Sequence, residues 1–221
     1  DPPDAIIPRI GSSVTAKGAA VIAQFEAMGT LTTVDSMALL RARDKLRCLQ
    51  ALAAQGVDVP QTAYLNDTQY LPTIIRQLGG LPIVIKLLES THGVGVILAE
   101  HLKSAESTIE VFQQLNERVL LQEYIQESKG ADIRVLVVAG RVIAAMKRQA
   151  KPGEFRSNLH RGASAEAIRI TEQEKQLVIK AAQIMGLKIA GVDLLRSHRG
   201  PLVMEINASP GLEGIEPITR I

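Results

Sequence analysis

A mixed α/β, α+β fold is what this 221-residue sequence predicts, and three features predict it. Apolar, β-branched runs come in pairs around short polar turns, at 132–150 and 188–211. Windows of helical periodicity separate the strands, so a purely parallel doubly wound sheet is not expected. The third feature is a glycine-rich turn in "KLLESTHGVGVILAE", residues 86–100. It leads from one strand into another, whereas the P-loop and the dinucleotide fingerprint lead from a strand into a helix.

Taken in order, "AIIPRIG" (5–11) is a short strand and turn, and "AKGAAVIAQFEAMG" (16–29) is an amphipathic helix closed by Gly29. Asp35 or Ser36 caps one helical stretch that carries Leu39, Leu46, Leu49 and Leu52 and ends at Gly56. A strand is expected at 58–65, a helix over roughly 67–78 closed by Gly79-Gly80, and a β-branched strand "LPIVIKLL" at 81–88. After the glycine loop come the strand "VGVILAE" and a helix over roughly 104–116, where Ser107 and Glu110 have capping-box spacing. "RVLLQEYI" (118–125) is a strand with a polar elbow, and 132–150 is a hairpin turning at Gly140-Arg141. "AKPGEFRSNLHRGAS" (150–164) has no periodicity, and a segment of that kind inside a compact domain is functional or disordered. Thr171 and Glu174 box the start of a helix that ends at Gly186, and "KIAGVDLLRSHRGPLVMEINASPG" (188–211) forms the last hairpin.

Composition narrows the function classes. Lys and Arg number 25 against 23 Asp and Glu, scattered rather than massed, and only 3% of residues are aromatic, with no Trp. That speaks against a nucleic-acid footprint or a base-stacking surface, so no direct nucleic-acid binding is expected. The single cysteine, Cys48, excludes an internal disulfide framework, fits a reducing cytoplasm, and reads as a buried, inert thiol in a helix. No membrane span and no signal peptide are visible. Opening at Asp1 on an interior-type strand and stopping at Ile221 without a closing helix, the chain reads as a piece of a longer protein.

The last hairpin carries the sharpest chemical signal. A turn around His198-Arg199-Gly200 sets Asp193 opposite Glu205 with both side chains on one face, and Asn207, two residues on, shares that face. Facing carboxylates repel; a hard cation between them removes the conflict, since Mg2+ takes carboxylate and carbonyl oxygens. The alternative is a solvent-facing polar stripe on an edge hairpin, against which the apolar settings "IAGVDLL" and "LVMEINA" weigh. The glycine loop, with Gly93 and Gly95, is on its own a weaker signal: either a plain hairpin turn or a phosphate-holding loop. Lys86 just before it either pairs with phosphate charge or snorkels to water. "QEYI" (122–125) offers an elbow of a kind that can meet an adenine edge, and Arg156, Ser157, Asn158, His160 and Arg161 form either an anion-binding lid or a soluble loop. With no nucleophile elbow, zinc spacing or EF-hand loop in view, what remains is phosphates, a divalent cation and a cover: nucleotide-dependent transfer.

In order and spacing, "RARDKL" (41–46), "IVIKLLESTHGVGV" (83–96), "LLQEYI" (120–125), "DIRVLVV" (132–138), "FRSNLHRGA" (155–163), "AGVDLL" (190–195) and "VMEINASPGLEGIE" (203–216) resemble the ATP-grasp superfamily. Within it they are similar to the RimK-type α-L-glutamate ligases, which add glutamate to the C-terminus of a small-subunit ribosomal protein. The resemblance implies a remnant of an N-terminal pre-ATP-grasp unit at 1–40, a first ATP-grasp subdomain with the glycine hairpin as lid at 41–125, and a second with the metal-binding hairpin at 126–221. It implies that Lys45 and Lys86 bind the nucleotide, with Gly93 and Gly95 in the lid, that Glu123 and Tyr124 line the adenine pocket, and that Asp132 lies near the ribose. Arg156, Ser157 and Asn158 would meet ATP and the reacting phosphoryl group, with Arg156 and Asn158 in catalytic roles and Arg134 as an oxyanion stabiliser. Asp193, Glu205 and Asn207 would hold two Mg2+ or Mn2+ ions. The implied partners are ATP, L-glutamate and the ribosomal protein's C-terminus, in a cytoplasmic homo-oligomer. Two other readings stay open: a related ligase acting on a small molecule or carrier protein, and a non-catalytic nucleotide-binding module.

Overall fold

The computed structural model describes residues 3–65, 67–88 and 95–221. At the N-terminal end, β1 (Ala5–Ile6) pairs in parallel with β2 (Leu31–Thr32), and α1 (Thr15–Ala27) connects them. The single helix expected from Asp35 to Gly56 is two helices, α2 (Ser36–Arg43) and α3 (Lys45–Ala54). Asp35 caps the first, accepting from the Ala38 amide at 2.6 Å. The break falls at Asp44, whose backbone is extended (ψ 104°) and whose carboxylate accepts from the Arg47 amide as the second N-cap. An aspartate favours that role over a helix interior because its short side chain competes with the backbone for hydrogen bonds.

The next unit is a four-stranded antiparallel sheet formed by β3 (Thr62–Leu65), β4 (Ile83–Leu87), β5 (Val96–Ala99) and β6 (Val119–Glu123), in the order β3-β6-β4-β5. Between its strands lie α4 (Leu71–Gln77) and α5 (Leu102–Gln114). Ile83, Ile85, Val119 and Leu121 share a buried cluster with Ile75 of α4 and Ile109 of α5. By the two-residue period of a strand, Val84, Lys86, Leu120 and Gln122 leave the other face. The β4–β5 hairpin matches the expected strand-to-strand loop; Gly93 and most of the loop lie outside the described residues. Gly95 is described: its φ of +67° requires glycine, and a Cβ there would stand 2.5 Å from the Leu87 side chain. The capping box expected at Ser107 and Glu110 is not formed. Burial of Ala105 and Ile109 draws the helix start back to Leu102, leaving those two residues inside it.

A five-stranded antiparallel sheet follows, built from β7 (Ala131–Val138), β8 (Arg141–Gln149), β9 (Ser164–Ala167), β10 (Ile189–Ser197) and β11 (Gly200–Asn207), in the order β11-β10-β7-β8-β9. The β7–β8 turn is Ala139-Gly140, both at positive φ, one residue earlier than expected. Ahead of β10 runs α6 (Glu172–Ile184), opened by the expected capping box: the Thr171 hydroxyl accepts from the Glu174 amide while Glu174 accepts from the Thr171 amide. A last helical turn, α7 (Glu216–Thr219), closes the chain. One face of the sheet supplies Ile133, Val135, Val192, Leu194, Val203 and Ile206 to a core shared with Val178 of α6 and Met185, its C-cap. Leu39 of α2 and Cys48 and Leu52 of α3 lie in the same core, so α3 packs on this sheet although its sequence falls in the stretch expected to form the first subdomain. Fully burying side chains of this size contributes about 1.5–3 kcal/mol each. Among the described residues no helix is long and apolar enough to cross a membrane.

Candidate active site

Pairing places the charged residues. Asp193 of β10 is the direct antiparallel partner of Glu205 on β11, as expected, and Gly191 is that of Asn207. A bulge follows Asp193, which lets the turn half of the hairpin run one residue out of step without disturbing the Asp193–Glu205 pair. On its other edge Asp193 pairs with Arg134 of β7, and Asp132 of β7 pairs with Arg148 of β8. Since the alternate residues of these strands fill the helix-side core, Asp132, Arg134, Arg148, Asp193, Glu205 and Asn207 all leave the opposite face.

The expected repulsion between Asp193 and Glu205 does not arise. Asp193 is 1% exposed and neutralised from its other side: Arg134 Nε donates to Oδ1 at 2.8 Å, and Arg134 and Arg148 both donate to Oδ2, at 2.6 and 3.0 Å. Burial alone would raise the Asp193 carboxyl, but the two guanidinium charges outweigh it and hold its pKa below the usual value. Arg148 also grips Asp132 with two hydrogen bonds, at 2.7 and 2.5 Å. Glu205, by contrast, is exposed.

Across from this row stands Lys86 on the open face of the four-stranded sheet. Burial pushes its ammonium down to about 8, Glu205 and Asp193 oppose that shift, and Lys45 adds to it. Lys86 Nζ donates to Gln122 Oε1 at 2.6 Å, and Gln122 Nε2 donates to the Thr62 hydroxyl at 2.8 Å, so a neighbouring strand pair fixes the lysine's direction. Lys45, at the start of α3, donates to the Leu88 carbonyl at 3.1 Å beside the described end of the glycine hairpin. Lys45, Lys86, Asp193 and Glu205 thus converge on one region between the two sheets.

The remaining expected residues sit around it. Ser157 hydrogen-bonds to Asp132. Arg156 makes a double contact with Glu154, at 2.9 and 2.8 Å, and reaches the Val96 carbonyl of β5 at 3.2 Å, joining the 150–164 loop to the glycine hairpin. Held by the Arg156 side chain, Glu154 falls to about 2. Asn158 precedes a single 3-10 turn at Leu159–Arg161. Tyr124 packs edge-on against Phe155, ring centres 6.4 Å apart, and the Arg156 guanidinium lies 5.4 Å from the centre of the same ring. Glu123 and Tyr124 line a cleft of about 730 Å3 with Leu78–Pro82, Glu127, Lys129 and His198, which Lys86, Asp132 and Asp193 do not line. The Glu123 carboxylate is itself engaged, accepting from the Gln61 amide at 2.6 Å and from Arg199 at the tip of the β10–β11 hairpin.

Sequence reasoning missed Gln122 and Arg148, the two residues that fix Lys86 and Asp193. Each lies between expected site residues in a pairing register, but a period-two pattern alone does not mark a polar side chain as buried.

The donor set fits a hard cation: two carboxylates paired across one face, and next to them an amide whose buried Nδ2 has no hydrogen-bond partner among the described residues. Asparagine's two ends are interchangeable by a flip, so the unmet end of Asn207 is a position its carbonyl can take. No group of three or more His, Cys, Asp and Glu residues able to hold a metal is found among the described residues, so the third oxygen would be that amide.

Comparison with known proteins agrees with this architecture. The RimK-like ATP-grasp domain matches residues 42–221, and the RimK PreATP-grasp domain matches residues 1–39. A probable alpha-L-glutamate ligase of Alcanivorax borkumensis is 59% identical over 217 residues, covering 98% of this chain and 72% of that protein. Two solved structures share the fold. A D-alanine–D-alanine ligase from Bacillus anthracis complexed with ATP has a TM-score of 0.77 at 17% identity, over 98% of this chain and 72% of that one. The ATP-grasp ligase PsnB, complexed with a phosphomimetic variant of its minimal precursor, Mg and ADP, has a TM-score of 0.73 at 24% identity, over 95% of this chain and 63% of that one. With a family match over most of its length, the chain belongs to the RimK-like ATP-grasp ligases.

Proposed function

We propose that this chain catalyses the ATP-dependent addition of L-glutamate to the C-terminal carboxylate of a protein acceptor, a small-subunit ribosomal protein by family resemblance, in the cytoplasm and as a homo-oligomer. One observation carries the reading: a row of anionic and amide oxygens, Asp193, Glu205 and Asn207, lies opposite a desolvated ammonium, Lys86. An arrangement of that kind suits a triphosphate whose charge must be met from both sides. Its similarity to probable alpha-L-glutamate ligases supports glutamate as the amino acid, and the structural neighbours complexed with ATP or with Mg and ADP support the nucleotide and the ion.

The chemistry proceeds in two displacements. The acceptor carboxylate attacks the γ-phosphorus of ATP, forming an acyl phosphate and releasing ADP. The glutamate amine then attacks the acyl carbon, an amide bond forms, the carbon–oxygen bond to phosphate breaks, and the amine's proton passes to solvent. Asp193, Glu205 and Asn207 would hold Mg2+ or Mn2+, two ions by family resemblance, and the ions would supply charge neutralisation on the phosphates. Lys86, directed by Gln122, and Lys45 bind phosphate oxygens. Tyr124, seated on Phe155, and the Glu123 backbone border the adenine, while Asp132 with Ser157 stands at the ribose side. Gly93 and Gly95 belong to the hairpin that covers the phosphates. Arg156 and Asn158, on the segment tied to β5, meet the reacting phosphoryl group, and Arg134 stabilises developing negative charge. Residues 1–40, 41–125 and 126–221 serve as pre-ATP-grasp remnant, first and second ATP-grasp subdomains.

The test is to incubate the protein with ATP, Mg2+ and each amino acid in turn, with and without the ribosomal protein, and to follow phosphate release and product mass. Glutamate-dependent phosphate release with a mass gain of whole glutamyl units on the acceptor is expected. Release with another amino acid only, or with no acceptor modified, would overturn the assignment.

A further inference from the structure

We propose that Arg134 is a displaceable counter-ion: without a divalent cation it occupies Asp193, and cation binding there releases its guanidinium into the cleft toward the anionic reacting groups. The inference rests on the cation reading of Asp193, Glu205 and Asn207 given above.

Four side chains form a charge-balanced set on the open face of the five-stranded sheet, and they are not held alike. Arg148 is anchored. Its side chain is 4% exposed, it spans two carboxylates, and three hydrogen bonds tie it down, two to Asp132 and one to Asp193. Moving it would strand Asp132, whose side chain is 2% exposed, in a buried setting without a counter-charge. Arg134 has both of its hydrogen bonds on Asp193 and a side chain 20% exposed, so it can leave without orphaning any group other than Asp193.

Arg134 and a cation compete for Asp193, which keeps one acceptor position open, on Oδ1. A carboxylate oxygen offers about two acceptor positions; Oδ2 spends both on Arg134 and Arg148, and Oδ1 gives one to Arg134. A cation that takes Asp193 from the Glu205 side shares that carboxylate with the Arg134 guanidinium bonded to both its oxygens from the other edge, and two cations on one partly buried carboxylate repel. A divalent cation shared by Asp193 and Glu205 supplies at least the single positive charge that Arg134 provides, so Asp193 stays compensated while the arginine is freed. The same metal that binds phosphate would thus present a cation to the group being transferred.

Mn2+ binding in the absence of nucleotide, read from the signal of the free ion by electron paramagnetic resonance, tests this without any turnover. Removing the competitor in Arg134→Met should tighten Mn2+ binding by about fivefold or more, within the range usual for coupled sites. Arg134→Lys keeps the charge but not the double grip and should shift affinity the same way by less; it decides the question where Arg134→Met does not fold. Unchanged or weaker Mn2+ binding in whichever of the two is folded would overturn the proposal. Glu205→Gln separates the two levels: if it binds Mn2+ as tightly as the unaltered protein, the cation reading itself fails, whereas weakened binding with no gain in the Arg134 variants defeats only the counter-ion role.

Discussion

Lys86→Met should change stability and nucleotide binding in ways that a strand-end lysine reaching into water would not. The ammonium's pKa falls from 10.5 to about 8, chiefly through burial, a difference of roughly 2.5 units or about 3 kcal/mol between the charged and neutral forms. The folded chain therefore binds fewer protons than the unfolded chain between about pH 8 and pH 10.5, so stability rises with pH across that window. Below pH 8 the full cost of the desolvated charge is present. Integrated from pH 7 to 9.5, the gain is about 2 kcal/mol for the unaltered protein, and Lys86→Met should lack it. Urea unfolding at the two pH values on both proteins gives the difference directly, because all other titrating groups are shared. In parallel, loss of a charge-assisted phosphate contact should weaken ATP binding roughly ten- to a hundredfold at pH 7, and the unaltered protein should take up a fraction of a proton on binding ATP near pH 8. Parallel pH–stability curves would show that the ammonium is not desolvated; unchanged ATP affinity in a folded variant would remove Lys86 from the nucleotide site.

Other outcomes follow from the same geometry. Asp193→Asn and Glu205→Gln should both abolish ligation, but only Asp193→Asn should unfold more readily, by about 1–3 kcal/mol, because the buried Arg148 then keeps one carboxylate of its two and the partly exposed Arg134 loses its charged partner; equal stability of the two in urea would count against the ionic set. Gly95→Ala forces a side chain into a left-handed backbone and against Leu87, and should cost about 1–2 kcal/mol along with nucleotide affinity, read by thermal shift with and without ATP. Thr171→Ala removes the capping box of α6, on the helix side of the five-stranded sheet, and should cost about 1 kcal/mol with ATP binding intact. A loss of ATP affinity there would mean that α6 is coupled to the site.

What the sequence discloses and what it hides divide along the range of the interactions. The Asp193–Glu205 register is readable because a short polar turn and two apolar strands of similar length leave one way to bury the helix-side residues, and a one-residue slip would turn Val192 and Ile206 to water. Thr171–Glu174 is readable because a capping box is entirely local. Ser107–Glu110 has the same spacing and fails because burial of Ala105 and Ile109 decides where α5 begins. At Asp44 the Leu46, Leu49 and Leu52 periodicity runs straight past a residue that caps instead of continuing. Arg148 and Gln122 stay hidden for a longer-range reason. Each draws its role from a side chain on another strand, and "AAMKRQA" or "LLQEYI" alone cannot tell a buried ion-pair partner from a strand-end polar residue. The neutralisation of Asp193 is invisible for the same reason, and the expected repulsion with Glu205 is relieved by arginines that its own hairpin does not contain.

Carboxylate activation by ATP can be followed by the fate of one oxygen atom. The C-terminal peptide of the acceptor, labelled with oxygen-18 in its C-terminal carboxylate, is incubated with the protein, ATP, Mg2+ and L-glutamate, and the released phosphate is weighed by mass spectrometry. If the carboxylate attacks the γ-phosphorus and the amine then displaces phosphate, one labelled oxygen leaves with each phosphate and ADP is the other product. Unlabelled phosphate accompanying amide formation, or AMP and pyrophosphate in place of ADP, would contradict the proposed chemistry.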